Sequence, residues 1–377
     1  MRTEENILKS LSQNFRNTDK FFLQLTFTLL IIGLIFSFSS SSYESFRLSG
    51  SFWILGIKQL IAFLIGMLFL ITFWLINYNT WFKITWTYAM LILITMIITV
   101  FTGIGRASGG SQRWIDIGFF QFQPAELSKI AVIFLLSRLF SKYKWSSVKT
   151  YLYLAFISIL ILIILKQPDL GTASILGLLV FQIMFICGCP IWLLLLAIAL
   201  AGIFCYLKIF QTPYQLNRIV YWLDPYKDPL GKGYNLIQSK YAFALGGLLG
   251  SGFGSSIQKQ GYLPVPHSDF IFAVISEEVG LLGTLAILIL YITWMFRGFY
   301  LTNKVKSRYG RILAFSILLL ISTQAIINIS VTIGLIPATG VTLPFFSCGG
   351  TSLMVTLAMC GILLNVFSNE SSTKLSP

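Results

Sequence analysis

The chain has 377 residues, of which 56% are hydrophobic and only 11% charged. A soluble protein of this length cannot bury so much apolar surface, whereas a bilayer accepts it in spans of about 20 residues. The net charge of +14 would suit a nucleic-acid partner, but the cations are gathered in a few links between apolar stretches, which argues against one.

Ten apolar stretches follow one another as candidate spans: 21–40, 52–76, 84–103, 125–140, 151–165, 170–187, 191–210, 270–294, 312–334 and 352–366. They predict an all-α polytopic membrane domain over 21–367, with tails at 1–20 and 368–377 and one large polar loop at 211–268. The polar N-terminal tail is too long for a typical secretory signal, so the first stretch reads as a retained span. Basic residues cluster in the N-terminal tail (Arg2, Lys9, Arg16, Lys20), after the fourth span (Arg138, Lys142, Lys144, Lys149) and after the eighth (Arg297, Lys304, Lys306, Arg308, Arg311). With ten alternating spans these lie on one side. The positive-inside rule then puts both termini in the cytoplasm and the 211–268 loop outside. The cysteines are odd in number (187, 189, 205, 348, 360) and mostly lie within or beside spans. Cys187-Gly-Cys189 lacks metal spacing, and they read as small apolar residues.

Three connections are richer than links need to be. The first, 103–124, is glycine-rich, which gives it backbone freedom. It carries Arg113 and Trp114 and hands over to Glu126 and Lys129 at the start of the fourth span. Within the large loop, 236–250 is too short and too glycine-rich to cross, and a re-entrant or interfacial helix is expected there. The third, 334–352, is broken by Gly and Pro.

Several charges lie where hydrocarbon makes them costly. Glu126 and Lys129 share one helix face, either neutralising each other or lining a polar cavity. The cavity reading is preferred, because intramembrane ionisable groups usually face a functional interior. Asp169 follows Pro168 at a helix start and reads as a cap. Asp269 stands with His267, the only histidine, at the lip of the eighth span. Either it or Ser268 caps that helix, or it is kept for chemistry. Of Glu277 and Glu278, at most one can share its cavity, since adjacent helical residues diverge. Arg218, Lys240 and Lys259 lie beside apolar or glycine-rich backbone and are candidates to clamp a phosphate, whereas Lys227 and Lys232 read as a solvated face.

The motifs FQPAELSK (122–129, preceded by Arg113-Trp114), QPDLGT (167–172), Asp224-Pro225 with GYNLIQS (233–239), PVPHSDFIFA (264–273), Glu277-Glu278, QAIIN (324–328) and PFFSCGGTS (344–352) occur in this order. Together they resemble the FtsW/RodA (SEDS) family of bacterial membrane proteins. The stretch GFGSSIQK (252–259) is more similar to its division-type FtsW branch than to the elongation-type RodA branch. The resemblance implies a peptidoglycan glycosyltransferase that polymerises lipid II at the outer face of the cytoplasmic membrane, at the division septum. It also implies a class B penicillin-binding protein as partner. The family's essential acid falls on Asp269, and its supporting cavity residues fall on Glu126 and Lys129. Arg113, Trp114, Gln258 and His267 are further candidates from their places in these motifs. Ser268 stands where the family usually has threonine, Pro266 where it has an acid, and Cys348 where it commonly has an aromatic residue.

One carboxylate suits such a reaction. A sugar hydroxyl is a poor nucleophile and needs a positioned base. A lipid diphosphate leaves as a stable anion, so it needs charge neutralisation rather than the acid partner of a glycosidase. Loop cations or a divalent cation (Mg or Mn, with Asp269 as a candidate ligand) can supply that, with no organic cofactor and no nucleic acid. Lys129 is expected beside Asp269, holding it ionised. Rival readings are a lipid II flippase, since intramembrane charges and broken helices also mark transport paths, and a RodA-type enzyme of elongation.

Overall fold

In a computed structural model, residues 15–101, 105–108, 111–116, 121–211 and 213–372 are described. Arg2, Lys9, most of the C-terminal tail and the side chain of Cys205 lie outside them. The helices are α1 (Lys20–Ser49), α2 (Ile54–Leu75), α3 (Tyr78–Phe101), α4 (Pro124–Lys142), α5 (Val148–Lys166), α6 (Leu170–Ile186), α7 (Ile191–Gln211), α8 (Pro213–Leu223), α9 (Tyr234–Gly246), α10 (Ile271–Asn303), α11 (Arg308–Thr332) and α12 (Gly350–Ser372).

Ten of these, α1–α7 and α10–α12, take the places of the ten expected spans. Among the described residues seven are long and apolar enough to cross a membrane by themselves: α1, α2, α3, α5, α10, α11 and α12. Of the other three, α6 has 17 residues and α4 carries Glu126, Lys129, Arg138 and Lys142. The chain is a mostly helical, multi-pass membrane protein. Several helices outrun their apolar stretches, because a helix continues past hydrocarbon until a cap stops it. Thus α1 begins at Asp19, whose Oδ1 accepts the Phe22 N–H at 2.8 Å, and ends at Gly50 in the left-handed region, φ 70°.

The bundle closes tightly where small residues let backbones approach. A Cβ on Gly361 of α12 would sit 2.3 Å from the Leu70 carbonyl oxygen of α2, and one on Gly33 of α1 would meet the Phe345 carbonyl. Helix α12 is the bundle's interior helix, buried along most of its length.

The expected 103–124 loop contains a three-stranded antiparallel sheet, in order β1 (Gly105–Ser108), β2 (Ser111–Asp116), β3 (Gln121–Phe122). Its register sets Arg106 opposite Trp114 and Ile115 opposite Phe122.

A short helix, α9, falls where the re-entrant or interfacial helix is expected, and the turn after it is joined to a break in α10. At Gly280 the backbone turns to φ 67°, ψ −171°, a conformation essentially restricted to glycine. The break frees backbone groups that a membrane cannot leave bare. The turn after α9 takes them: Ser251 and Gly252 N–H donate to the carbonyls of Glu277 and Glu278, at 2.9 and 3.1 Å. In return Leu281 and Leu282 N–H donate to Gly247 and Leu248, at 2.9 and 3.2 Å.

Candidate active site

The head of α10 is held by its backbone. The Ser268 carbonyl accepts from Ser347 Oγ at 2.7 Å, and the His267 carbonyl accepts from the Cys348 N–H at 2.8 Å. Asn328 Nδ2 of α11 donates to the Asp269 carbonyl at 2.9 Å and to the Val341 carbonyl at 2.7 Å. The third polar connection and the QAIIN motif therefore act together, fixing Asp269 without touching its carboxylate. Among the described residues that carboxylate receives only the Ser268 hydroxyl, at 2.9 Å on Oδ1. The N-cap of α10 is Phe270, and no side chain bonds the helix start. The capping role open to Ser268 or Asp269 is thus absent.

Burial pushes the Asp269 carboxyl above the usual carboxylate range; the Ser268 hydrogen bond and Arg218 pull it down, and Asp169 adds to the upward push. The cation acting on Asp269 is Arg218 of α8, where Lys129 was expected. A cavity of ≈ 260 Å³ is lined by Phe270, the residue that follows Asp269, by Arg218, which acts on Asp269, and by Lys232, Asn217, Asn235 and Tyr221, among others; Asp269 itself is not in the lining. Helix α8 is fastened over it by Trp222 Nε1, which donates to the Gly334 carbonyl at 2.9 Å. Helix α9 is fastened by Ser239 Oγ on the Thr332 carbonyl at 2.6 Å.

Lys232 is exposed, as the sequence suggested, and it also lines this cavity. Its backbone N–H bonds Asp228 Oδ2 at 3.0 Å, and its ammonium sits 5.5 Å from the Tyr221 ring centroid. A signal was available in Gly231-Lys232-Gly233, since flanking glycines let a backbone turn tightly. Lys240 is exposed one turn beyond Leu236, a residue of the cavity lining, and its stem runs past Gly334. Lys227 is exposed, 4.0 Å from Asp224, as expected.

Lys259 is not a phosphate clamp. It is buried, donating to Glu278 Oε1 at 2.7 Å and to Ser39 Oγ of α1 at 2.8 Å. Glu277 accepts from the Ile257 N–H at 2.7 Å and from Ser256 Oγ and the Gln258 N–H. Neither glutamate bonds Asp269; both tie the 256–259 turn to α10. Gln258 is buried with that turn, so it too stands apart from the cavity lining. Burial lowers the pKa of His267, and Glu44 of α1 opposes this.

Asp169 is the cap the sequence suggested, taking the Thr172 N–H on Oδ1 at 3.0 Å, with Thr172 Oγ1 and Gln123 Nε2 on Oδ2 at 2.9 and 3.1 Å. Arg113 of β2 donates Nε to the Gln167 carbonyl at 2.7 Å and an Nη to the Pro168 carbonyl, so it binds protein backbone. The half-buried Trp114 follows it in the same strand. Glu126 and Lys129 form a closed buried pair, with Nζ at 2.7 and 2.8 Å from the two carboxylate oxygens. Among the described residues, no group of three or more His, Cys, Asp or Glu could hold a metal ion.

A protein-family model described as "Cell cycle protein", for FtsW, RodA and SpoVE, matches residues 20–372. The chain belongs to the FtsW/RodA/SpoVE family. Within the family it is 37% identical to "Stage V sporulation protein E" of Bacillus subtilis, over 91% of this chain and 94% of that protein. It is 34% identical to "Probable peptidoglycan glycosyltransferase FtsW" of Geobacter metallireducens, over 94% and 96%. It is 36% identical to "Peptidoglycan glycosyltransferase MrdB" of Escherichia coli, over 76% and 78%. Its fold matches a chain of a structure described as "Structural coordination of polymerization and crosslinking by a peptidoglycan synthase complex". That match has a TM-score of 0.77 at 25% identity, covering 94% of this chain and 98% of the other.

Proposed function

We propose that this family member is a peptidoglycan glycosyltransferase in which Asp269 is the catalytic base. The observation that carries this is the carboxylate itself: held in place by its backbone, free of any capping duty, and followed by Phe270, which lines a cavity with Arg218 and Lys232. Asp269 accepts the proton of a sugar hydroxyl as that oxygen attacks the anomeric carbon of a lipid-linked sugar. Its raised pKa suits the task, because a base titrating nearer the working pH takes the proton more readily in the transition state. The C–O bond to the diphosphate breaks as the new glycosidic bond forms. Arg218, Lys232 and Lys240 neutralise the departing charge.

The substrate in this reading is lipid II, and the orientation is termini in the cytoplasm with the 211–268 segment outside. The transpeptidase partner is a class B penicillin-binding protein. The relative named FtsW aligns over more of the chain than MrdB does, which favours septal synthesis over elongation. A divalent cation fits the donor set as a minor participant. Mg²⁺ commonly takes one or two carboxylates plus substrate phosphates, and Asp269 with the diphosphate would hold it, adding charge neutralisation.

The test is glycan-chain formation from purified lipid II by the full chain with its transpeptidase, comparing wild type with Asp269→Asn, with and without chelator. Loss of polymer in the folded variant supports the assignment. Polymer formed at wild-type rate refutes it. Lipid II translocation by a wild type that never makes polymer would make the protein a flippase.

A further inference from the structure

At the opposite end of α4 from Glu126 lies a second cavity, of ≈ 460 Å³, lined by Trp86, Arg138, Tyr143, Lys149, Leu152, Tyr153 and Phe156. Its aromatic wall is braced: Trp86 Nε1 donates to Tyr153 Oη at 2.9 Å, and the Trp86 ring meets the Tyr153 and Phe156 rings edge-on at 4.8 and 5.2 Å. Arg138 is anchored by one arm, Nη1 on the Phe82 carbonyl at 2.7 Å, with its guanidinium 4.8 Å from the Phe82 ring centroid. The Arg138 Nε is buried without an acceptor. The Lys149 and Lys142 ammonium groups lie 5.5 and 5.8 Å from the Tyr143 ring.

What this cavity lacks is negative charge. No Asp or Glu occurs between residues 78 and 115 or between 127 and 168, which together supply every lining residue. Helix α11, which also approaches Arg138 through Tyr309, has none either. Among the described residues none of Arg138, Lys142, Lys144 and Lys149 forms an ion pair. Cations gathered without a counter-charge leave a standing demand for an anion. The shape names its kind. One flank is apolar and faces outward, with Leu152 61% exposed on α5, where acyl chains would lie. The charged floor sits at the helix ends, at headgroup depth.

We propose that this cavity binds the phosphate headgroup of an anionic phospholipid, its chains lying along Leu152 and Phe156. The site is remote from Asp269 and stands whether or not the polymerase reading holds. It is tested by native mass spectrometry of the full chain in micelles holding equal phosphatidylglycerol and phosphatidylcholine. Wild type should retain phosphatidylglycerol preferentially. Lys149→Gln, at an exposed residue whose loss spares the fold, should cut that preference about fivefold, and Lys149→Arg should keep it. Lys304→Gln, a cation outside the cavity, should leave it unchanged. Equal retention of the two lipids, an unchanged Lys149→Gln, or the same loss in Lys304→Gln would overturn the proposal. Displacement of the lipid by millimolar inorganic phosphate would overturn the lipid assignment in favour of a soluble anion.

Discussion

Asp169 helps to raise the pKa of Asp269, yet at the heads of their helices the two do opposite things. Asp169 closes α6 with a 3.0 Å bond from the Thr172 N–H and has both oxygens occupied by protein. Asp269 closes nothing and keeps Oδ2 free of hydrogen bonds among the described residues. The first is bound up in the fold; the second is available to a substrate.

Asp269→Asn keeps size and hydrogen-bonding reach but removes the proton acceptor. Polymerisation from lipid II should fall at least about a hundredfold. Stability should move the other way. A carboxyl whose folded pKa lies above its unfolded value favours the fold fully below the unfolded pKa, about 3.9, and loses that contribution as pH rises through the folded pKa. At neutral pH the wild type therefore carries a penalty the amide lacks. The variant should melt higher at pH 7, with the difference vanishing in acid; a variant that melts lower at pH 7 would contradict the burial argument.

The rate should also report this pKa. Activity is expected to fall, as pH drops, at a higher pH than an ordinary carboxylate would dictate, because burial raises Asp269. Arg218 opposes that rise, so Arg218→Gln should move the acid limb further up as well as weaken substrate binding. A pH profile of kcat/KM for both proteins decides it, and an unmoved limb would remove Arg218 from the site.

The Glu126–Lys129 pair calls for a double-mutant cycle. Removing one partner of a buried pair leaves an uncompensated charge, costing about 3–5 kcal/mol. Lys129→Met and Glu126→Gln should each destabilise strongly, and the double variant less than either. Denaturation in detergent measures this; additive losses would mean the two groups do not depend on each other.

The break in α10 should be intolerant of side chains. A Cβ on Gly280 would lie 2.3 Å from the Gly250 N, and one on Gly250 would lie 2.2 Å from the Glu278 carbonyl oxygen. Both glycines have positive φ, 67° and 84°. Gly280→Ala and Gly250→Ala should each lower the melting temperature clearly, whereas Gly177→Ala on α6, with nothing within 4 Å, should be neutral or mildly stabilising.

Orientation is open to a direct check. In a background without native cysteines, cysteine at position 232 should react with an impermeant thiol reagent in intact cells and cysteine at 304 should not. The reverse pattern would invert the protein.

The sequence by itself determined the places of ten apolar helices, seven of them long and apolar enough to cross a membrane, the short α9 helix, the Asp169 cap and the shared helix face of Glu126 and Lys129. All of these rest on composition and spacing along a few turns, since hydrocarbon thickness imposes a length and a helix brings residues three apart together. That Glu126 and Lys129 neutralise each other, where the sequence favours a polar cavity, only the structure decided. Asp269 could be singled out from its position, but whether it capped a helix or stood ready for chemistry could not. That depended on Asn328, Ser347 and Cys348, which hold its backbone from far along the chain. The lysines show the same divide. Lys259 and Lys232 both looked like loop cations, and only packing sent one to Glu278 and Ser39, 220 residues away, and the other to the cavity. The 105–122 sheet was missed because its strands are two to six residues long, and hydrogen bonds between strands define them more than any local pattern. Tertiary structure decided which charges neutralise one another, because a charge in a membrane protein takes whichever partner the fold brings near.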